Sequence, residues 1–116
     1  MDQLLRRAVT GIEALGLDVC AVIDHSGDAA EAGLTIPETK LVLIGSPKDL
    51  TELMLTHPRF AIELPLKLLI SESNDGHVLI SYHAPDHLAR RYHLTEDETT
   101  ALRLVEAIAR HTRSSP

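Results

Sequence analysis

The chain has 116 residues, with 11 Lys and Arg against 17 Asp and Glu, a formal charge of −6 and 44% apolar residues. That length suits one domain able to bury roughly two thirds of its unfolded surface, so neither disulfides nor a structural metal are needed to fold it. The apolar share excludes disorder, the negative charge argues against DNA or RNA as the main partner, and the single cysteine excludes an internal disulfide or a multi-cysteine metal site.

No apolar run approaches the roughly 20 residues of a membrane span, and no basic start precedes an apolar signal core. The expectation is therefore a soluble protein in a reducing, cytoplasmic setting, without nucleic acid or membrane as partner.

In chain order, Leu4, Leu5, Ala8, Val9, Ile12 and Leu15 fall at helical spacing. Asp2 is the expected cap and Gly16 the left-handed terminator. Leu17 to Asp24 is too short and β-branched for a second helix and reads as a strand. Gly27 to Ala32 reads as a short helix stopped by Gly33, and Thr39 to Ile44 as a second strand bounded by Gly45.

Ser46-Pro47 is a helix start, with Ser as N-cap and Pro at the first helical position. Leu50, Leu53, Met54 and Leu55 then give the apolar side of a helix ending near His57-Pro58, with a short turn from Arg59 to Leu64. Leu66 to Glu72 and His77 to Tyr82 form a hairpin around Asp75-Gly76. Asp86 is the expected cap of a helix from His87 to Tyr92. Thr95 and Glu98 make a capping box for a last helix whose buried stripe is Ala101, Leu102, Val105, Ile108 and Ala109. Residues 1–111 are expected to be one domain and 112–116 a frayed tail.

This order predicts an α+β fold of two layers: a largely antiparallel sheet with helices packed on one face. The other sheet face should carry Leu69 and Leu79 beside Lys67, Ser71, His77 and Ser81, joined by Cys20 and Val22. It is too apolar for a fully solvated surface and too polar for a deep core; burial in an isologous homodimer is the economical use, and scattered exposed apolar groups the alternative.

From Ile23 onward the sequence resembles the domain of unknown function 302 family. The resemblance rests on Ile23-Asp24-His25, Ala30, Ala32-Gly33-Leu34, Gly45-Ser46-Pro47, Leu64-Pro65-Leu66-Lys67, Asp75-Gly76, Ser81-Tyr82, Pro85, Leu88 and Arg91-Tyr92, in family order and spacing. It implies a TATA-binding-protein-like α+β fold and commonly comes with homodimers, but brings no settled activity. Two departures stand out. Members usually open with a strand before the first helix, which leaves the sheet here expected without that edge strand or differently built. They also tend to have Asn where Ser46 stands.

Candidate site residues follow from chemistry. His25, at a strand end before a small-residue segment, could act as acid or base or brace the following helix. Ser46 and Lys48 flank free amides at a helix start, where anions bind or where simple capping suffices. His83 and His87 have the spacing of a helical metal pair, but Pro85 between them opposes a continuous helix. With seven histidines, full protonation would carry the formal charge from −6 to +1, although surface residues account for most of them in the ordinary case. Cys20 in a strand reads as a small packed residue rather than a nucleophile.

The leading reading is a non-catalytic homodimeric module that binds a small ligand or a protein partner, with His25, Ser46, Lys48 and His83 as ligand-binding candidates. No metal or cofactor is assigned in that reading. The alternatives are a small enzyme using His25 near Ser46, or a histidine-linked metal or haem binder.

Overall fold

The structure, a computed structural model, describes residues 1–45 and 47–113. The first helix, α1 (Asp2–Ala14), buries Ala8, Gly11 and Ile12. Met1 is its N-cap, so Asp2 contributes negative charge in the first turn rather than a side-chain cap. Its end is as the sequence predicts. Gly16 takes φ +74, and Leu17 N–H and Gly16 N–H donate back to Ile12 and Glu13 carbonyls. Leu17 then enters the core.

Four strands follow in a meander, β1 (Asp18–Asp24), β2 (Thr39–Gly45), β3 (Leu66–Glu72) and β4 (Val78–Ser81), each antiparallel to the next. Ile44 pairs with Leu66 and Val42 with Leu68, and all four are buried on one face. Ile70 continues that face toward Ile80. The helices cover this face, as the predicted two-layer pattern requires. Ile12 from α1 and Leu102, Val105, Ile108 and Ala109 from the C-terminal helical segments complete the core.

The helices between and after the strands are α2 (His25–Glu31), α3 (Pro47–Thr56), α4 (Pro85–Tyr92), α5 (Glu96–Thr100) and α6 (Leu104–Arg113). Pro58–Glu63 and Ala101–Arg103 are 3₁₀ turns. Leu50, Leu53 and Phe60 reach the core from α3 and the first of these turns, whereas Leu55 is exposed, contrary to expectation.

Three expected caps or boundaries shift. Helix α2 starts at His25, not Gly27, because Asp24 caps it by accepting from Gly27 N–H. Helix α4 starts at Pro85 behind Ala84; proline needs no N–H partner there, and the Asp86 carboxylate instead pairs with Arg103 at 2.9 Å. The final helix continues through Arg113. Thr112 is buried and its hydroxyl donates to Ile108 O at 2.7 Å, so it is not part of a tail. The rest of the expected tail, 114–116, lies outside the described residues.

The expected hairpin is present. Ser73 N–H donates to His77 O and Gly76 N–H to Ser73 O, and Gly76 supplies the positive φ of +87. His77 lies in this turn beside Asp75 rather than on the sheet face.

Candidate functional site

The sheet face away from the helices is set by pairing, since directly opposed residues share a face. One row runs Ala21, Leu43 and Lys67; the next Ile23, Leu41, Leu69 and Ser81; a third Thr39, Ser71 and Leu79. Gly45 and Asp18 make a further row at the α3 end, so the charged side chains of the paired rows are Lys67 and Asp18. Leu69 and Leu79 are where the sequence placed them.

Val22 is not, because it pairs with Val42 and so belongs to the helix-covered face. The cause is a β-bulge between Val19 and Ala21, which resets the alternation along β1. Cys20, at the bulge, is exposed, and a side chain at Gly45 would strike its Sγ.

At one end of this face a groove of about 260 Å³ is lined by Leu41, Lys67, Leu69, Ser81, Tyr82 and His83. Lys67 Nζ donates to the carbonyls of Glu63 and Pro65, each at 3.1 Å, which fixes its ammonium without cancelling its charge. The Glu63 carboxylate is engaged by the Tyr92 hydroxyl, an interaction that holds the Tyr92 pKa above its ordinary value. Phe60 packs edge-on against the Tyr92 ring at 4.8 Å.

Two other hollows flank the helices. A cleft of about 540 Å³ between α3 and α5 has Leu53, Ala101 and Leu104 among its lining and Asp49, Glu52, Asp97 and Glu98 as its charged groups. A hollow of about 290 Å³ beside α2 is bordered by Asp24, Ser26, Leu34 and Ile36.

Of the predicted site residues, only His83 enters the groove. His25 is the exposed first residue of α2 and lines none of these hollows. Its neighbour Asp24 pairs with Lys40 in the sheet register, whereas Gly45 pairs with Asp18. The two ends of β1 are about 20 Å apart at roughly 3.3 Å per residue. His25 and the start of α3 therefore sit at opposite ends of the sheet, and the expected meeting of His25 with the Ser46 junction is not made. Ser46 itself lies outside the described residues, and Lys48 is exposed in the first turn of α3.

His83 precedes α4 and His87 lies within it, so they are not two positions of one helical face. Among the described residues no three His, Cys, Asp or Glu side chains form a group able to hold a metal ion.

Asp24 serves structure instead. Ser26 Oγ donates to it at 2.8 Å, Gly27 N–H at 3.0 Å, and Lys40 Nζ lies 3.3 Å away. These donors, the Ser26 hydroxyl foremost, hold its carboxyl below the ordinary range. The sequence reading missed Lys67 as a site residue and Leu41 and Leu43 as part of the outer face. The signal for the leucines was present: Leu41 to Ile44 is apolar without alternation, as in a strand covered on both faces.

A four-stranded meander with its helices gathered on one side defines a two-layer α+β protein. The same arrangement is found in the crystal structure of an uncharacterized conserved protein DUF302 from Bacillus stearothermophilus, at a TM-score of 0.85 and 17% identity over 97% of this chain and 91% of that one. The chain belongs to the family described as domain of unknown function DUF302, whose model matches residues 1–111.

Two curated relatives are longer proteins. The fluoride-specific ion channel FluC 1 of Brucella suis is 30% identical over 101 residues, which are 87% of this chain and 40% of the channel. The fluoride-specific ion channel FluC 2 of Brucella melitensis matches at 30% over the same share of this chain and 37% of its own. The chain thus spans about two fifths of the curated relatives it matches. Among the described residues, no helix is long and apolar enough to cross a membrane.

Proposed function

We propose that this chain is a non-catalytic, homodimeric binding module whose two copies stack through their outer sheet faces and which takes a small ligand or a protein partner. The observation that carries this is the outer face itself, where Ala21, Ile23, Leu41, Leu43, Leu69 and Leu79 are interrupted by two charges, Lys67 and, at the Gly45 end, Asp18. Depletion of charge marks the centre of interfaces. A face with so little charge offers little by which an unlike partner would be selected electrostatically, and little that repels its own copy. Two such sheets can pack about 10 Å apart with their side chains interdigitated.

The separation of His25 from the start of α3 speaks against the enzyme using His25 near Ser46. A reducing, cytoplasmic setting fits the lone cysteine. In the Brucella channels, the matched stretch shares enough sequence to share this fold. We therefore read it as a portion of those proteins that carries this fold, about two fifths of their length.

Sedimentation tests the dimer. The wild type is expected to be dimeric at micromolar concentration. Leu69→Glu, which places a carboxylate on each stacked face, should weaken association by roughly a hundredfold or more while circular dichroism stays native. Leu55→Glu, on the exposed side of α3, should leave the dimer intact. A wild-type monomer, or an unchanged Leu69→Glu dimer, would overturn the assignment.

A further inference from the structure

We propose that the groove lined by Leu41, Leu69, Lys67, Ser81, Tyr82 and His83 binds a small amphipathic carboxylate, its tail on the two leucines and its head at Lys67 and His83. This rests on the dimer reading, because the groove opens on the stacked face and the second copy would close it.

Charge complementarity selects the ligand. The chain carries −6 overall, yet no Asp or Glu lines this groove and its one fixed charge is the Lys67 ammonium. Two of the three Lys67 N–H groups are spent on the Glu63 and Pro65 carbonyls. These hold the ammonium in place and leave the third donor and the full positive charge for a ligand. The carboxylate of Glu63, whose carbonyl Lys67 engages, is itself engaged by the Tyr92 hydroxyl.

The His83 ring and the Ser81 hydroxyl make no hydrogen bond to any described residue, so both can donate to an anion. Leu41 and Leu69, adjacent in the β2–β3 register, provide an apolar floor. The 260 Å³ available equals about nine water volumes, room for a ligand of roughly eight non-hydrogen atoms, which is the size of a six-carbon carboxylate.

The test titrates hexanoate, hexanol and hexylamine into the 116-residue chain, followed by calorimetry and by methyl NMR of Leu41 and Leu69, with sedimentation alongside. Hexanoate should bind the dimer at least tenfold more tightly than hexanol and shift both leucine signals, and hexylamine should not bind. Lys67→Met should abolish the preference for hexanoate over hexanol. Because that change also releases the Glu63 and Pro65 carbonyls, Ser81→Leu is the second variant. It fills the groove from β4 without touching Lys67 and should reduce hexanoate binding at least tenfold with an unchanged melting temperature.

A dimer that binds hexanoate no better than hexanol or hexylamine, or whose binding survives Ser81→Leu, overturns the carboxylate site and leaves the dimer standing. A protein that is monomeric with and without hexanoate overturns the dimer, and the enclosed site with it.

Discussion

Glu98 joins two parts of the molecule through one carboxylate. Its Oε1 accepts from Thr95 N–H at 2.9 Å, closing the capping box in which Thr95 Oγ1 accepts from Glu98 N–H at 3.1 Å. Its Oε2 accepts from the Thr56 hydroxyl at 2.7 Å and lies 2.9 Å from His57 Nε2, tying the end of α3 to α5. The Thr95 amide, the Thr56 hydroxyl and His57 draw its pKa from 4.5 down to about 2. A pKa depressed by folding means that the ionised carboxylate stabilises the fold above about pH 4.5. That contribution fades as pH falls toward 2. Urea titrations between pH 5 and 2 should therefore show a loss of stability that is flatter in Glu98→Gln. At neutral pH, Thr95→Ala should cost about 1 kcal/mol. The capping box was legible because its two residues are three apart. The Thr56 and His57 contacts were not, because nothing local in a sequence reports a partner some forty residues away.

Among the elements, the local rules served best where the element is local. The Schellman ending of α1, the Asp75–Gly76 turn and the start of the α5 segment all depend on residues within a few positions. They failed where a side chain had a distant use. Asp86 is the expected cap of α4, but Arg103, seventeen residues on, holds its carboxylate. Thr112 was assigned to a tail on composition, although it lies four residues beyond Ile108 and extends the same stripe.

That stripe packs α6 against both the sheet and α1. The approach of the two helices is close at Gly11, where a Cβ would lie 2.8 Å from His111 Cδ2. Ile108, fully buried, is central to this contact. Ile108→Ala should destabilise the protein by about 2–5 kcal/mol in urea unfolding, the range for an aliphatic core truncation. It leaves the outer sheet face untouched.

For the whole molecule, the two middle strands carry apolar side chains on both faces, but helices cover only one. The helix-covered face was legible from periodicity, and the other only in part. Leu69 and Leu79 were identified through the hairpin's alternation, whereas Leu41 and Leu43 required the register between β2 and β3. The groove required more still, since Lys67 and His83 come to line it only where the chain after β4 runs on past the start of β3. If folding and pairing of copies are coupled, stability should depend on concentration. The melting temperature should rise by about 2–4 °C per tenfold increase in protein, and Leu69→Glu should remove that dependence.

The bulge in β1 has a counterpart on the opposite rim of the sheet, where β4 is only four residues long. Free rims are where exposed amides and carbonyls recruit a foreign strand. Here one rim is crimped and the other cut short, which leaves little regular edge for lateral accretion into ribbons or fibrils. In the proposed dimer the contact is instead the broad flat of the sheet, and an assembly made flat against flat is complete at two.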